Sequence, residues 1–214
     1  MSIPEYLRSP CGASSLPFWK TEAVSVPENM LVVRDDAFTP DLAKEYEDVR
    51  YFKLLHRMDG LEKPALREGF RLVSCETQAF AEHIRECYGG GPSAEELSAC
   101  RAHPVCRPDL WIAVAEEESG RLAATGIAEL DGRIGEGFLE WIQVSPAFRR
   151  LGLGAFVVKE LLWRMRGAAR FTTVSGRADN KTNPFALYQS CGFSDRVIWH
   201  VLTKRRDRED GLPG

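Results

Sequence analysis

Residues 139–156 read LEWIQVSPAFRRLGLGAF, and this stretch decides the fold. A mainly apolar run ends at Pro146, and the arginine and glycine residues of 149–154 follow it directly. Beyond them, apolar residues recur at the spacing of one helix face, at Val157, Leu161, Leu162 and Met165. The sequence therefore predicts a strand, a glycine-containing turn and a helix, in that order.

The start of this helix is predicted to bind phosphate. A helix N-terminus presents unpaired N–H groups and the positive end of the helix dipole. Gly152 and Gly154 lack the Cβ atoms that would keep a pyrophosphate from the backbone, and Arg149 and Arg150 add positive charge. The spacing matches neither the dinucleotide fingerprint nor the Walker loop. From these residues alone, an ordinary strand-to-helix turn stays open as the alternative.

A second pattern lies downstream, where residues 180–193 read NKTNPFALYQSCGF. Together, V-x-P-x-x-R-R-x-G-x-G and N-x-x-N-P-x-A-L-Y-x-x-x-G-F resemble the two signatures of the GCN5-related N-acetyltransferase (GNAT) superfamily. The resemblance extends over roughly residues 70–203 and is strongest over residues 138–193. Two linked signatures in the expected order of strands and helices are far more specific than either one alone.

The resemblance implies an α/β (α+β) fold with a mixed, mostly antiparallel central sheet flanked by helices. From Phe70 onward, the hydrophobic pattern predicts the order β-α-α-β-β-β-α-β-α-β, which agrees with that fold. The resemblance also implies acetyl-coenzyme A as co-substrate, with transfer to an amine by direct attack in a ternary complex. A non-catalytic acyl-coenzyme A-binding or sensor module is the alternative. The predicted cofactor-binding residues are Ile142, Gln143, Val144, Arg149, Arg150, Leu151, Gly152, Leu153, Gly154, Ala155, Asn180 and Asn183.

A carboxylate or a bound water must take a proton from the attacking amine, because a primary amine with a pKa near ~10 is mostly protonated at neutral pH. Counting by two along the strand places Glu140 on the face of Ile142 and Val144, and Gln143 on the opposite face. Glu140 is therefore the predicted base, and Glu136 is the next choice. A surface carboxylate or an ion-pair partner is the alternative for Glu140.

The resemblance implies that Tyr188 protonates the departing thiolate. A helix residue with a solvated hydroxyl is the alternative for this tyrosine. Asn180 and Asn183 stand eight and five residues before it, which departs from the family's usual spacing. Either asparagine is expected to bind the pantetheine amides, but Asn183-Pro184 also has the pattern of a helix N-cap followed by proline.

The chain is predicted to consist of an N-terminal extension, residues 1–69, packed on an acetyltransferase core, residues 70–203, with a flexible tail at residues 204–214. Prolines and aromatic residues alternate over roughly the first 30 residues. This composition favours an extended segment that is fixed to the core by its rings, rather than a helix.

Composition limits the class of protein and its partners. The net charge of −3 gives no strong attraction to nucleic acid. The best apolar run, Leu110–Ala115, is too short to cross a bilayer. The first ten residues lack the basic and apolar regions of a secretory signal. We therefore expect a cytoplasmic protein with neither a nucleic-acid nor a membrane partner.

Six cysteines are present without a C-x-x-C pair and without histidine at zinc-finger spacing. They are predicted to be reduced thiols, with no metal site, and Cys11 in a serine-rich loop is the one candidate for reactivity. The acceptor is expected to be a small-molecule or peptide amine whose identity the sequence does not give. A homodimer stays open.

Overall fold

This computed structural model describes residues 1–205 of the chain. Within this range, stretches rich in apolar and β-branched residues pair into one eight-stranded sheet. The strand order is β1-β8-β2-β7-β6-β5-β4-β3. Every neighbouring pair is antiparallel except β6 and β7, which are parallel. The predicted mixed, mostly antiparallel sheet is confirmed. The strands are β1 (Met30–Arg34), β2 (Tyr46–His56), β3 (Phe70–Val73), β4 (Cys106–Glu116), β5 (Leu122–Asp131), β6 (Glu136–Val144), β7 (Phe171–Arg177) and β8 (Ser194–Lys204).

Helices cover both faces of the sheet. The helices α7 and α8 pack on one face, and α1 to α3, α5 and α6 pack on the other. Within residues 1–205, no helix has the length and apolar character that crossing a bilayer requires. The helices are α1 (Ile3–Arg8), α2 (Pro10–Ala13), α3 (Phe18–Ala23), α4 (Pro40–Glu45), α5 (Thr77–Tyr88), α6 (Ala94–Arg101), α7 (Leu153–Met165) and α8 (Pro184–Ser190).

Alternation along the strands builds two core layers. On β4, Leu110, Ile112 and Val114 face α7, while Trp111 and Ala113 face α5 and α6. The four α7 residues predicted to share one face are all buried against the sheet. Full burial of one such aliphatic side chain stabilises the fold by about 1.5–3 kcal/mol, so α7 is fixed firmly behind β6.

The first 69 residues supply part of the sheet itself. Strand β2 lies between β7 and β8 and pairs antiparallel with both, so that Lys53 is opposite Ser175 on one side and Val197 on the other. The sheet therefore includes strands on both sides of the predicted boundary at residue 69. At the other end, Lys204 still belongs to β8. The rest of the predicted flexible tail, from residue 206, lies outside the described residues.

The extended conformation that we predicted for the first 30 residues is wrong, because this segment forms three short helices. Pro4 and Pro10 lie in the first turns of α1 and α2, and Pro17 is the N-cap of α3. Proline costs no hydrogen bond in a first turn, where the N–H would lack a partner in any case. The aromatic rings do fix the segment to the sheet, since Tyr6 and Phe18 are fully buried.

Candidate functional site

The two parallel strands separate along their length. Strands β6 and β7 pair only from Glu136 opposite Phe171 to Leu139 opposite Val174. Strand β6 then continues to Val144, while β7 remains paired with β2. A gap therefore opens at the C-terminal ends of the parallel strands, next to the start of α7. Diverging C-terminal strand ends are a usual place for a ligand in α/β folds.

A β-bulge lies on β6 where this gap begins. The register between β5 and β6 shifts between the pairs Thr125–Gln143 and Ile127–Glu140, and Trp141 has φ +51°. A bulge sets two residues of one strand against one residue of its partner and breaks the simple alternation of faces. As a result, Trp141 packs with the α5 layer, on the same face as Glu140.

The bulge corrects our assignment of faces. Ile142 and Val144 pack against the α7 layer, whereas Glu140 lies on the opposite face, together with Gln143. Counting by two fails here because it assumes an unbroken pleat. The side chains of Glu140 and Gln143 thus face the N-terminal segment and α5, and the backbone of Ile142 and Val144 borders the gap.

The turn between β6 and α7 leaves its backbone amides free. Within the described chain, the amides of residues 149–152 donate no hydrogen bond. The first helical hydrogen bond of α7 runs from the amide of Phe156 to the carbonyl of Gly152, at 3.0 Å. Arg149 and Arg150 are exposed, while Leu153 is buried and fixes the helix start. The turn therefore offers an array of N–H groups beside two cations, which suits a phosphate.

The two glycines of the turn serve different purposes. Gly152 is the N-cap of α7 with φ +80°, and no atom lies within 4 Å of the position that a Cβ would take. Gly154 is packed instead, since its Cβ would lie 3.3 Å from Leu187 Cδ2 and 3.6 Å from Val144 Cγ2. Gly152 therefore keeps the turn open, and Gly154 lets α8 approach α7. Leu151 and Ala155, also predicted to bind cofactor, pack against the core.

Tyr188 lies on α8 among aromatic rings, with ring centres 6.2 Å from Phe52 and 5.6 Å from Phe193. Burial, followed by the nearby phenol of Tyr88, raises the pKa of Tyr188 above its ordinary value. The phenol therefore remains protonated at neutral pH. Only 6% of its surface is exposed, and its hydroxyl forms no hydrogen bond within residues 1–205, so its proton is not held by another residue there.

A second tyrosine, which the sequence analysis did not identify, lies at the end of α5. The Tyr88 hydroxyl donates a hydrogen bond to the carbonyl of Ile142 at 2.8 Å, and its ring meets Trp141 edge-on at 6.1 Å. Half of the Tyr88 surface is exposed, but partial desolvation still raises the pKa of its phenol above the ordinary value, so it stays a donor. Tyr88 and Tyr188 thus approach the gap from opposite faces of the sheet.

Both asparagines bond to nearby backbone. The Asn180 carboxamide oxygen accepts hydrogen bonds from the amide and hydroxyl of Thr182, at 2.9 and 2.8 Å. The Asn183 oxygen accepts from the amide of Ala186 at 3.3 Å, so the predicted N-cap is confirmed. Contacts of either asparagine with pantetheine stay a prediction.

The predicted base forms part of a charged cluster. Glu140 Oε2 lies 2.6 Å from the ammonium of Lys20, which also lies 3.7 Å from Glu129 Oε2. The indole N–H of Trp19 donates to Glu129 at 2.9 Å. Burial, and then the charge of Glu140, raise the pKa of Glu129 to about 8. Glu129 is therefore protonated more readily than an ordinary glutamate, and Glu140 is the close partner of the Lys20 ammonium. Both residues lie beneath α3.

Glu136, the second choice for the base, already accepts three hydrogen bonds inside the protein. Its carboxylate accepts from the Tyr6 hydroxyl at 2.5 Å, the Phe18 amide at 2.8 Å and the Thr173 hydroxyl at 2.6 Å. The Lys53 ammonium donates to the same Tyr6 hydroxyl at 3.0 Å. This group fixes the N-terminal segment to the sheet and uses three of the roughly four lone-pair sites of the carboxylate. Because Glu136 is only 1% exposed, it is not accessible to a substrate.

A buried polar network supports the bulge from behind. His83 of α5 lies 2.8 Å from both the Thr125 and the Ser145 hydroxyls, and Gln143 donates to Thr125. Burial lowers the pKa of His83, so its ring is neutral at physiological pH. The Gln143 side chain is therefore used inside the protein, and only its backbone is left for a cofactor.

The structure thus brings together the turn, the end of β6 and Tyr188 around one gap. The sequence analysis missed Tyr88, Lys20 and Glu129; only Glu129 carried a signal, as a charged residue within the apolar strand LAATGIAELD. Within residues 1–205, no three histidine, cysteine or acidic side chains are grouped as a metal site requires.

Comparisons with known proteins agree with this architecture. The family model described as an acetyltransferase (GNAT) domain matches residues 108–195. A search of curated protein sequences gave no match to the chain. A solved GCN5-related N-acetyltransferase from Sphaerobacter thermophilus is 19% identical with a TM-score of 0.65, over 88% of this chain and 64% of that one. The chain thus spans less than two thirds of that protein's length.

Two further solved structures are similar. A GCN5-related N-acetyltransferase from Kribbella flavida is 18% identical with a TM-score of 0.56, over 84% of this chain and 69% of that one. A tandem GNAT protein from the clavulanic acid biosynthesis pathway is 16% identical with a TM-score of 0.57, over 83% of this chain and 65% of that one. At these identities, the likeness shows the fold.

Proposed function

We propose that the chain is an acetyl-coenzyme A-dependent N-acetyltransferase of the GCN5-related superfamily, whose members transfer acyl groups to amines. The match of residues 108–195 to the GNAT domain model and the similar fold of solved GNAT proteins support this proposal. One observation supports this most: the free amides of the turn lie beside a pair of parallel strands that separate. The turn suits a pyrophosphate, and the gap suits an extended pantetheine arm. The acceptor class that we propose is a small-molecule or peptide amine.

The chain's own groups fit this co-substrate, which supplies an acetyl group activated as a thioester. The amides of residues 149–152 and the two arginines would hold the pyrophosphate. The backbone of β6 from Ile142 to Val144, unpaired on its β7 side, would orient the arm. One of these amides would stabilise the oxyanion as the amine attacks.

Two side chains would move protons in the transfer. Glu140 would take a proton from the acceptor ammonium, directly or through a water. Tyr188, whose pKa is raised by burial, would give its proton to the leaving sulfur. Tyr88 would keep the β6 edge in position through its hydrogen bond to the Ile142 carbonyl. Binding and direct attack in one ternary complex require no covalent enzyme intermediate.

The experiment is a thiol-release assay with acetyl-coenzyme A and a panel of amines. Tyr188→Phe removes only the hydroxyl and should lower kcat about 100-fold, while Kd for acetyl-coenzyme A stays unchanged. Tyr46→Phe, at the start of β2 and opposite Lys204 of β8, is the matched control and should retain full activity. Equal kcat for Tyr188→Phe and the wild type would remove Tyr188 from the mechanism.

The alternative function is an acyl-coenzyme A-binding module without catalysis. One observation favours it: α3 covers the predicted base, and Lys20 already neutralises Glu140. Calorimetry separates the two functions, because the module would bind acetyl-coenzyme A and release no thiol with any amine of the panel. For the compartment, we propose the cytoplasm; six free thiols within the described chain support a reducing environment.

A further inference from the structure

An ammonium group already lies against the predicted base. Lys20 Nζ is 2.6 Å from Glu140 Oε2, 3.7 Å from Glu129 Oε2 and 5.1 Å from the centre of the Phe138 ring. The three surrounding residues belong to β5 and β6, whereas Lys20 comes from α3, a separate piece of the chain. A carboxylate, a second carboxyl oxygen and a ring face are groups that recognise a desolvated ammonium.

This ammonium lies where the sheet separates. Glu140 directly follows Leu139, the last β6 residue paired with β7. Glu129 is diagonal to it on β5, because the register sets Ile127 opposite Glu140 and Glu129 opposite Phe138. An amine held between the two carboxyl groups is therefore at the edge of the gap in which we propose that the thioester lies.

Resting on the proposed function, we infer that Glu129, Glu140 and the Phe138 ring form the acceptor subsite for a primary alkylammonium, and that Lys20 fills this subsite as an internal stand-in for the acceptor. An incoming amine must displace Lys20 and therefore competes with it. Once bound, the acceptor gives one proton to Glu140, and its nitrogen lone pair forms the N–C bond. As the C–S bond breaks, the sulfur takes the Tyr188 proton. The second proton that the nitrogen loses restores the Tyr188 hydroxyl through water, so that the amide, the free thiol and protonated Glu140 remain.

The test removes the Lys20 ammonium by mutation and supplies an equivalent ammonium from solution. Lys20→Ala keeps the Cβ and leaves a space with the length of n-propylammonium. Without any coenzyme A, saturating n-propylammonium should raise Tm of this variant by roughly 5 °C. The uncharged n-propanol should not do so. Lys44→Ala removes another lysine paired with an acidic residue, but on the surface, and should show no response to either compound.

A second variant keeps the subsite filled without a charge. Lys20→Met retains an apolar arm of similar length, so n-propylammonium should leave its Tm unchanged. Glu140→Gln combined with Lys20→Ala should reduce the response at least severalfold. If Lys20→Ala alone does not fold, n-propylammonium should restore its folding where n-propanol does not. A response that is absent in Lys20→Ala, or equal in Lys44→Ala, overturns the subsite.

Activity supplies an independent measurement. With acetyl-coenzyme A, Lys20→Ala should form N-propylacetamide with KM about tenfold below the wild type, because the internal competitor is gone; Lys20→Met should not. Lack of acetyl-coenzyme A binding in calorimetry would refute the proposed function and leave the Tm result standing. Binding and turnover without any n-propylammonium effect on Tm or KM would refute the subsite alone.

Discussion

Gly152→Asp places one negative charge at the turn, and Gly152→Asn is its matched neutral control. Gly152 has φ +80° and is the N-cap of α7. Asparagine and aspartate both tolerate this left-handed conformation better than other residues, and both are good N-caps. No atom lies within 4 Å of the added Cβ. The two variants should therefore fold alike, with aspartate slightly favoured by the helix dipole.

The expected difference in affinity follows from Coulomb's law. Two like charges about 4 Å apart repel by about 1 kcal/mol in water and by about 4 kcal/mol at an effective dielectric constant of about 20. Because the turn is exposed, we take an intermediate value of about 2 kcal/mol, which corresponds to roughly 30-fold weaker binding by Gly152→Asp than by Gly152→Asn.

Calorimetric titration with coenzyme A, at low and at high salt, measures this difference directly. The difference in coenzyme A affinity between the two variants should become smaller as the salt concentration rises, because the repelling charges are solvent-exposed. Pantetheine, which has no pyrophosphate, is the control ligand and should not distinguish them. If both variants fold and bind coenzyme A equally, the pyrophosphate does not lie at this turn.

Three further predictions concern stability and its dependence on pH. Tyr6→Phe should lower the free energy of unfolding in urea by about 1.5–3 kcal/mol, because it removes a donor to the buried Glu136 carboxylate; an unchanged value contradicts this. The pKa of Glu129 is raised in the folded state, so the contribution of Glu129 to stability is full below pH 4.5 and is lost as the pH rises towards 8. The free energy of unfolding should fall by at most about 1.4 kcal/mol per pH unit over this range. In Glu129→Gln this decline should disappear from thermal unfolding profiles. Asn183→Ala should destabilise by about 1–2 kcal/mol, through loss of the cap and strain at φ +52°, and Asn183→Gly by clearly less, since glycine keeps that φ; in chemical denaturation, equal losses would refute the strain, and no loss in either variant would refute the cap.

The turn and its flanking elements were predictable because their signals are local. Glycine and arginine residues follow an apolar strand and precede a one-face apolar pattern, so strand, turn and helix could be predicted from nearby residues. The N-cap at Asn183 is of the same kind, because the asparagine and the proline after it are adjacent. Local chemistry of this kind also set the order of elements from Phe70 onward.

The bulge and the charged cluster could not be predicted in this way. The extra residue at Trp141 results from the pairing of β6 with β5, and no single residue of β6 predicts this bulge. Lys20, Glu129 and Glu140 come from three separate elements and meet only in the folded sheet. The short N-terminal helices were missed because prolines mark helix starts as readily as extended chain.

The position of β2 has a consequence for synthesis. The only sheet partners of β1 and β2 within the described chain are β7 and β8, which begin at Phe171 and Ser194. Until the ribosome has added the residues from Phe171 onward, the backbone N–H and C=O groups of β1 and β2 lack their sheet partners. Such edges invite pairing with other chains, and late long-range closure slows folding. The nascent chain should therefore depend on chaperones until its last strands emerge, and stalled or shortened products should aggregate rather than persist as a smaller folded unit.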